Sequence, residues 1–91
     1  MISRQRLRLL RNRVPIDGLF HELNVPTKQR DGYLRFLCPL CREFNTATNP
    51  KTNLARCFRC ERNFNPIDLV MVVTGSSFRH AVDFLTSLVG D

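Results

Sequence analysis

Cys38-Pro39-Leu40-Cys41 and Cys57-Phe58-Arg59-Cys60 contain every cysteine of this 91-residue chain, and fifteen residues separate the two pairs. The thiolate is a strong zinc ligand, and a structural zinc site takes four ligands in a tetrahedron. Two Cys-x-x-Cys pairs about fifteen to twenty residues apart have the spacing of such a site. Two other chemistries compete for the same residues. A pair of disulfides would suit a secreted chain, but the N-terminus Met1-Ile2-Ser3-Arg4-Gln5-Arg6 lacks the apolar run of a signal peptide. A thioredoxin-like dithiol needs one pair beside a βαβ pattern, and the chain carries no such pattern. Cys38, Cys41, Cys57 and Cys60 are therefore expected to hold one structural Zn2+. Thiolates kept reduced for a metal suit a cytoplasmic compartment.

Length gives that metal its importance. A chain of 91 residues makes one domain and buries only about two-thirds of its unfolded surface, so a core alone gives thin stability. A structural zinc adds roughly 10–16 kcal/mol of apparent folding free energy in zinc-finger peptides. The longest apolar run, residues 69–73, is far too short to cross a bilayer, so no membrane partner is expected.

Working outward from the cysteines, residues 33–37 read as a strand entering the first pair. Alternation places Tyr33, Arg35 and Leu37 on one face of it and Leu34 and Phe36 on the other. Residues 42–48, with Phe44, Thr46 and Thr48, read as a second strand. Asn49-Pro50-Lys51-Thr52-Asn53 is a turn, and residues 54–58 form a third strand leading into the second pair. Residues 27–32 read as a polar, charged turn. The fold class expected is α+β, a small zinc ribbon of three antiparallel strands flanked by helices.

Four helices are expected around it. Residues 3–13 read as a basic helix capped by Ser3, in which five arginines surround the thin apolar stripe of Leu7, Leu10 and Val14. It is either a phosphate-contacting arm, a basic helix that docks on a partner, or a frayed terminus. Pro15 breaks the helical geometry at Val14 and opens a second helix, with Ile16, Leu19, Phe20 and Leu23 on one face. Asn65-Pro66-Ile67-Asp68 is the strongest helix start: Asn caps, Pro takes the first position, and Asp meets the positive end of the dipole. Gly75 stops that helix. Ser76 or Ser77 caps the last one, whose expected buried stripe is Phe78, Ala81, Val82, Leu85 and Leu88 or Val89. His21 reads as an ordinary surface or packed histidine, because four cysteines already fill the metal site, and His80 falls opposite the buried stripe of the last helix and is expected to be exposed.

The formal net charge is +6. Zinc on four thiolates lowers this by about two, and the chain remains basic. Twelve of the fourteen cations are arginine, a bias that favours bidentate phosphate contacts and stacking on bases. Basic charge of this kind points to a polyanion, most often nucleic acid, against the plainer reading of a solvated surface.

The two cysteine pairs, Glu43, the run Asn65-Pro66-Ile67-Asp68-Leu69-Val70 and the run Phe78-Arg79-His80-Ala81-Val82-Asp83-Phe84-Leu85 together resemble a known family. It is the zinc-binding domain, with a Cys-His-Cys-Cys ligand set, of bacterial and phage DNA primases. The likeness covers residues 14–89 and divides the chain into a basic N-terminal helix, 1–14, and a primase-like zinc-ribbon domain, 15–91. The cysteine pairs are common to many ribbons, and the two helical runs carry most of the specificity. Cys41 stands where the family has histidine, which makes this an all-cysteine variant. Asn45-Thr46-Ala47-Thr48 replaces the family's Pro-Ser-Phe, and Arg59 and Phe64 stand where glycines are common.

The resemblance implies a domain that contacts single-stranded template DNA while a separate Toprim-type domain polymerises. No catalysis is expected of this chain: its carboxylates are scattered, and four thiolates leave no open metal position. The residues expected to meet single-stranded DNA are Tyr33, Arg35, Phe36, Arg42, Phe44, Lys51, Arg56, Phe58, Arg59 and Arg62, with arginines on phosphates and exposed rings on bases. At least half of the phenylalanines should instead be core. The alternative function is a protein-interaction subunit docking on a replication polymerase or helicase through the basic helix.

Overall fold

The computed structural model describes residues 2–89. It is α+β, with four helices and two small antiparallel sheets among those residues. Helix α1 (Arg4–Arg13) starts where expected, with the Ser3 hydroxyl accepting from the Arg6 amide at 3.1 Å. Helix α2 (Ile16–Glu22) follows Pro15 and buries Ile16, Leu19 and Phe20.

The segment expected to be a polar turn, residues 27–32, is largely a strand. Strand β1 (Thr27–Arg30) pairs antiparallel with β2 (Tyr33–Phe36). Asp31 and Gly32 make the two-residue turn between them, both at positive φ (55° and 80°). That is the backbone an Asp-Gly hairpin turn requires, because its twist matches that of the strands. All four β1 residues are exposed, so no alternation marks the strand in the sequence.

The second sheet has three strands, as expected, but a different membership. It is ordered β3 (Thr46–Asn49), β4 (Leu54–Cys57), β5 (Arg62–Phe64). Strand β2 belongs to the hairpin, and β5 follows the second cysteine pair. Residues 42–45, expected to begin the second strand, instead close the first cysteine turn, with Arg42 at φ 61°.

Thr46 joins the two sheets. Tyr33 and Arg30 flank the hairpin turn, and bonded and non-bonded pairs alternate along an antiparallel ladder. Three residues on, Phe36 therefore turns its N–H and C=O away from β1. Thr46, fully buried, meets both: its hydroxyl accepts from the Phe36 amide at 2.9 Å and donates to the Phe36 carbonyl at 2.7 Å. The Arg35 guanidinium donates to the Thr46 carbonyl. One hydroxyl and one guanidinium thus replace a stretch of backbone ladder between β2 and β3.

Helix α3 (Pro66–Thr74) carries a full capping box. Asn65 Oδ1 accepts from the Asp68 amide at 2.8 Å, and an Asp68 carboxylate oxygen accepts from the Asn65 amide at 3.2 Å. Gly75 ends it at φ 67°, the left-handed position that glycine takes without a Cβ penalty. Ser77 caps helix α4 (Phe78–Val89), accepting from the His80 amide at 3.1 Å. Ala81, Val82 and Leu85 of α4 are buried as expected, whereas Phe78 and Leu88 are 43% and 38% exposed. Leu88 borders a surface hollow that it shares with Arg13 and Val14 at the end of α1. His21 and His80 are exposed.

One core takes in every layer: Leu10 of α1, Phe20 of α2, Phe36 of β2, Phe64 of β5, Leu69 of α3 and Leu85 of α4 are each 0% exposed. The Phe20 and Phe36 rings stack with centroids 4.6 Å apart. Helix α1 packs on α3 and α4, so its apolar stripe, though thin, is used.

Replacing Thr46 by valine keeps the shape and strands the Phe36 amide and carbonyl. An unsatisfied buried group costs about 1–3 kcal/mol, so Thr46→Val is expected to lower unfolding stability in urea by roughly that amount, and Thr46→Ser by much less.

Candidate metal centre

The four cysteine sulfurs lie within 4.8 Å of one another. Cys38 Sγ is 3.9 Å from Cys60 Sγ, and Cys41 Sγ is 3.6 Å from Cys57 Sγ. Four sulfurs about 2.3 Å from one zinc ion stand about 3.8 Å apart at the corners of a tetrahedron. All four cysteines are free. The cluster therefore fits one metal ion, with no disulfide among its members.

The two turns that carry the sulfurs are built alike. In each, the residue after the second cysteine is left-handed: Arg42 at φ 61° and Glu61 at φ 53°. That conformation costs a non-glycine residue roughly 1–2 kcal/mol, and it turns the chain out of each cysteine pair. The Arg42 amide donates to the Cys38 carbonyl at 2.9 Å, and the Cys38 amide to the Glu43 carbonyl at 3.0 Å. The Cys60 amide donates to Cys57 Sγ at 3.4 Å. Between the turns, the Phe58 amide donates to the Asn45 carbonyl at 2.9 Å, and Arg59 pairs with Glu43. Each turn contributes one buried sulfur residue, Cys38 and Cys57, and one half-buried, Cys41 and Cys60. The centre thus sits at the rim of the core.

Without a cation these thiols are in tension. Burial first, then Cys57, Cys41 and Cys38, pushes the Cys60 thiol up to about 12. Burial raises Cys41, opposed by its backbone bond at Glu43. Burial works upward on Cys57 too, but the Cys60 amide and the neighbouring thiols outweigh it, and Cys57 is lowered. A metal ion bound here would have to displace the protons that the raised thiols hold.

The residues expected to meet nucleic acid divide into groups. Tyr33, Arg35 and Phe58 line one groove of about 620 Å³, together with Gln29 and Pro50. Arg56 and Phe58 line an adjoining hollow of about 390 Å³ on the outer face of the three-stranded sheet, with Asn63 beside them. The Arg56 guanidinium lies over the Phe58 ring, 5.8 Å from its centroid, and donates to Asn63 Oδ1 at 3.1 Å. Arg35 and Phe44 line a third hollow, of about 450 Å³, with Lys28 and Arg30. There Lys28 sits 4.3 Å over the half-buried Phe44 ring.

The others lie apart. Phe36 is fully buried and is core, stacked on Phe20. Arg42 and Lys51 are exposed and line neither groove on the sheet, Arg59 is held by Glu43, and Arg62 covers the buried Phe64 ring at 5.5 Å. Lys28, Arg30 and Asn63 escaped the sequence reading; recognising Asp31-Gly32 as a hairpin turn would have placed the first two opposite Arg35 and Tyr33. No protein-family model matches this chain, and no curated protein matches it. No described helix is long and apolar enough to cross a membrane.

Titrating the metal-free chain with Zn2+ in weak buffer is expected to load one ion and release protons, at least from Cys41 and Cys60. Acidification returns protons to the sulfurs and expels the ion, so occupancy falls as pH falls. Metal quantification with a pH indicator reads both; two ions per chain, or uptake without proton release, would contradict a single four-thiolate centre.

Proposed function

We propose that this chain is a zinc-dependent single-stranded DNA-binding module of DNA replication, acting in primer initiation beside a separate polymerase or helicase. The observation that carries the reading is the groove in which Tyr33, 68% exposed, and Phe58, 46% exposed, are joined by Arg35. Exposed rings beside arginines are what a single strand needs. Bases stack on the rings whatever their identity, and guanidinium groups meet the phosphates. The ring of Phe58 borders both the groove and the Arg56 hollow, so base and phosphate contacts alternate over a short distance.

The metal in this reading is Zn2+. A tetrahedral set of four thiolates suits zinc, and Cys38, Cys41, Cys57 and Cys60 would all hold it. Such a site is closed, so its work is structural: it fixes the two turns from which Phe58 and the start of β3 project. Strands β3–β5 with their two cysteine turns then act as a zinc ribbon. The primase resemblance supports the same division of labour, with polymerisation on another domain or chain and template contact here.

Fluorescence anisotropy with a thymidine oligonucleotide, at two salt concentrations, tests the reading. Binding is expected at low salt and should weaken steeply as salt rises. Tyr33→Ala and Phe58→Ala should each cost about 1–3 kcal/mol of binding while zinc content stays at one ion. A wild-type protein that ignores DNA at low salt, yet is captured by a purified replicative helicase or polymerase, would establish the protein-docking alternative instead.

A further inference from the structure

The basic helix α1 is not a loose arm. The side chain of Asn53, in the turn between β3 and β4, ties its C-terminal end down. Asn53 Nδ2 donates to the carbonyls of Arg11 at 2.6 Å and Val14 at 2.7 Å, and its Oδ1 accepts from the Ile16 amide at 2.8 Å. Pro15, before α2, offers no side-chain cap, so Asn53 supplies from another part of the chain the partner that a helix start needs. These bonds set α1 against the sheet that carries Arg56.

A polar hollow of about 300 Å³ lies at that junction, lined by Arg8, Arg11 and the side chains of Asn12, Asn53 and Asn65. It shares Thr52 and Leu54 with the Arg56 hollow, which in turn shares Phe58 with the Tyr33 groove. The three hollows are therefore neighbours, each bordering the next. No carboxylate lines either of the two nearer α1. Arg8 and Arg11 are exposed, and Arg11 spends only its Nε, in a 3.4 Å bond to the Leu7 carbonyl. Along this path the chemistry changes: rings at the hairpin end, an arginine over a ring in the middle, arginines and amides without rings at the helix end.

We infer that α1 is the phosphate-gripping end of a single continuous track for single-stranded DNA. Arg8 and Arg11 take the phosphates of nucleotides that lie beyond those stacked at Tyr33 and Phe58. The inference rests on the single-stranded DNA reading above and extends its footprint from the sheet onto the N-terminal helix.

Salt titrations with thymidine oligonucleotides of about 4 and about 16 nucleotides, the range of known single-strand site sizes, test it on the full zinc-loaded chain. Each phosphate contact on a single strand contributes about 0.7 to the slope of log K against log salt. The double variant Arg8→Ala/Arg11→Ala is expected to lower the slope for the long oligonucleotide by about 1.4, and to bind the short one as wild type does. A second double variant, Arg13→Ala/Arg79→Ala, removes the same charge from exposed positions off the track and should leave both slopes unchanged. Circular dichroism verifies that each variant is folded. A long-oligonucleotide slope equal to wild type in the Arg8/Arg11 variant, or an equal fall in both double variants, would overturn the track while leaving the Tyr33–Phe58 groove standing. Wild type that binds neither oligonucleotide at low salt would remove the DNA reading itself.

Discussion

Four sulfurs brought within one coordination sphere constrain everything else in this chain. They come from two turns fifteen residues apart, and each turn is left through a left-handed non-glycine residue. Burial raises Cys60 and Cys41 while Cys57 is lowered, so a bound cation would have to displace protons from the two raised thiols. Two of the four cysteines, Cys38 and Cys57, are also members of the hydrophobic core. A metal ion here would therefore close the core at its rim as well as joining the turns. For a chain this small, whose core gives thin stability, that is a large share of what keeps the sheet together.

Away from the sulfurs, two polar side chains make connections that backbone pairing does not. Thr46 satisfies the outward N–H and C=O of Phe36 and so fastens the hairpin to the three-stranded sheet. Asn53 satisfies the carbonyls at the end of α1 and the amide at the start of α2, and so fastens the helical layer to the same sheet. Both act at long range, ten residues for Thr46 and 37 to 42 for Asn53. Among the described residues no buried side-chain polar atom is left without a partner, which is the condition for placing such groups inside a small protein at all.

Much of this was legible in the sequence, and the boundary of legibility follows physical lines. The helix starts at Ser3, Asn65 and Ser77 rest on side chains bonding to amides three residues away, and local signals of that kind survive without tertiary context. The clustering of the four cysteines rests on spacing alone. What stayed hidden depended on partners. Strand β1 is exposed along its whole length, so it has no buried face to give it a period. Strand β5 has three residues, one of them buried, too few to show alternation. Tyr33–Phe36 read correctly as a strand, but its assignment to the hairpin was decided by Asp31-Gly32, whose turn places β1 beside it. The caps made by Asn53 leave no trace within reach of a local motif.

The candidate site follows from the same alternation that builds the sheet. Ala55, Cys57 and Phe64 turn inward, all at 0% exposure. Ala47, Arg56 and Asn63, in register across the three strands, must then turn outward together. The inner set is apolar and sulfur-bearing because it faces the core and the metal centre. The outer set is small, basic and amide-bearing, and Phe58, one step beyond Cys57, leaves the core for the surface. A sheet one residue out of register would exchange these two sets, burying Arg56 and exposing Phe64. The two cysteine turns meet at one end of the β3–β4 pairing, beside the Thr46–Cys57 register pair, and sulfurs clustered there oppose such a slip, so the cysteine cluster also bears on which side chains the outer face presents.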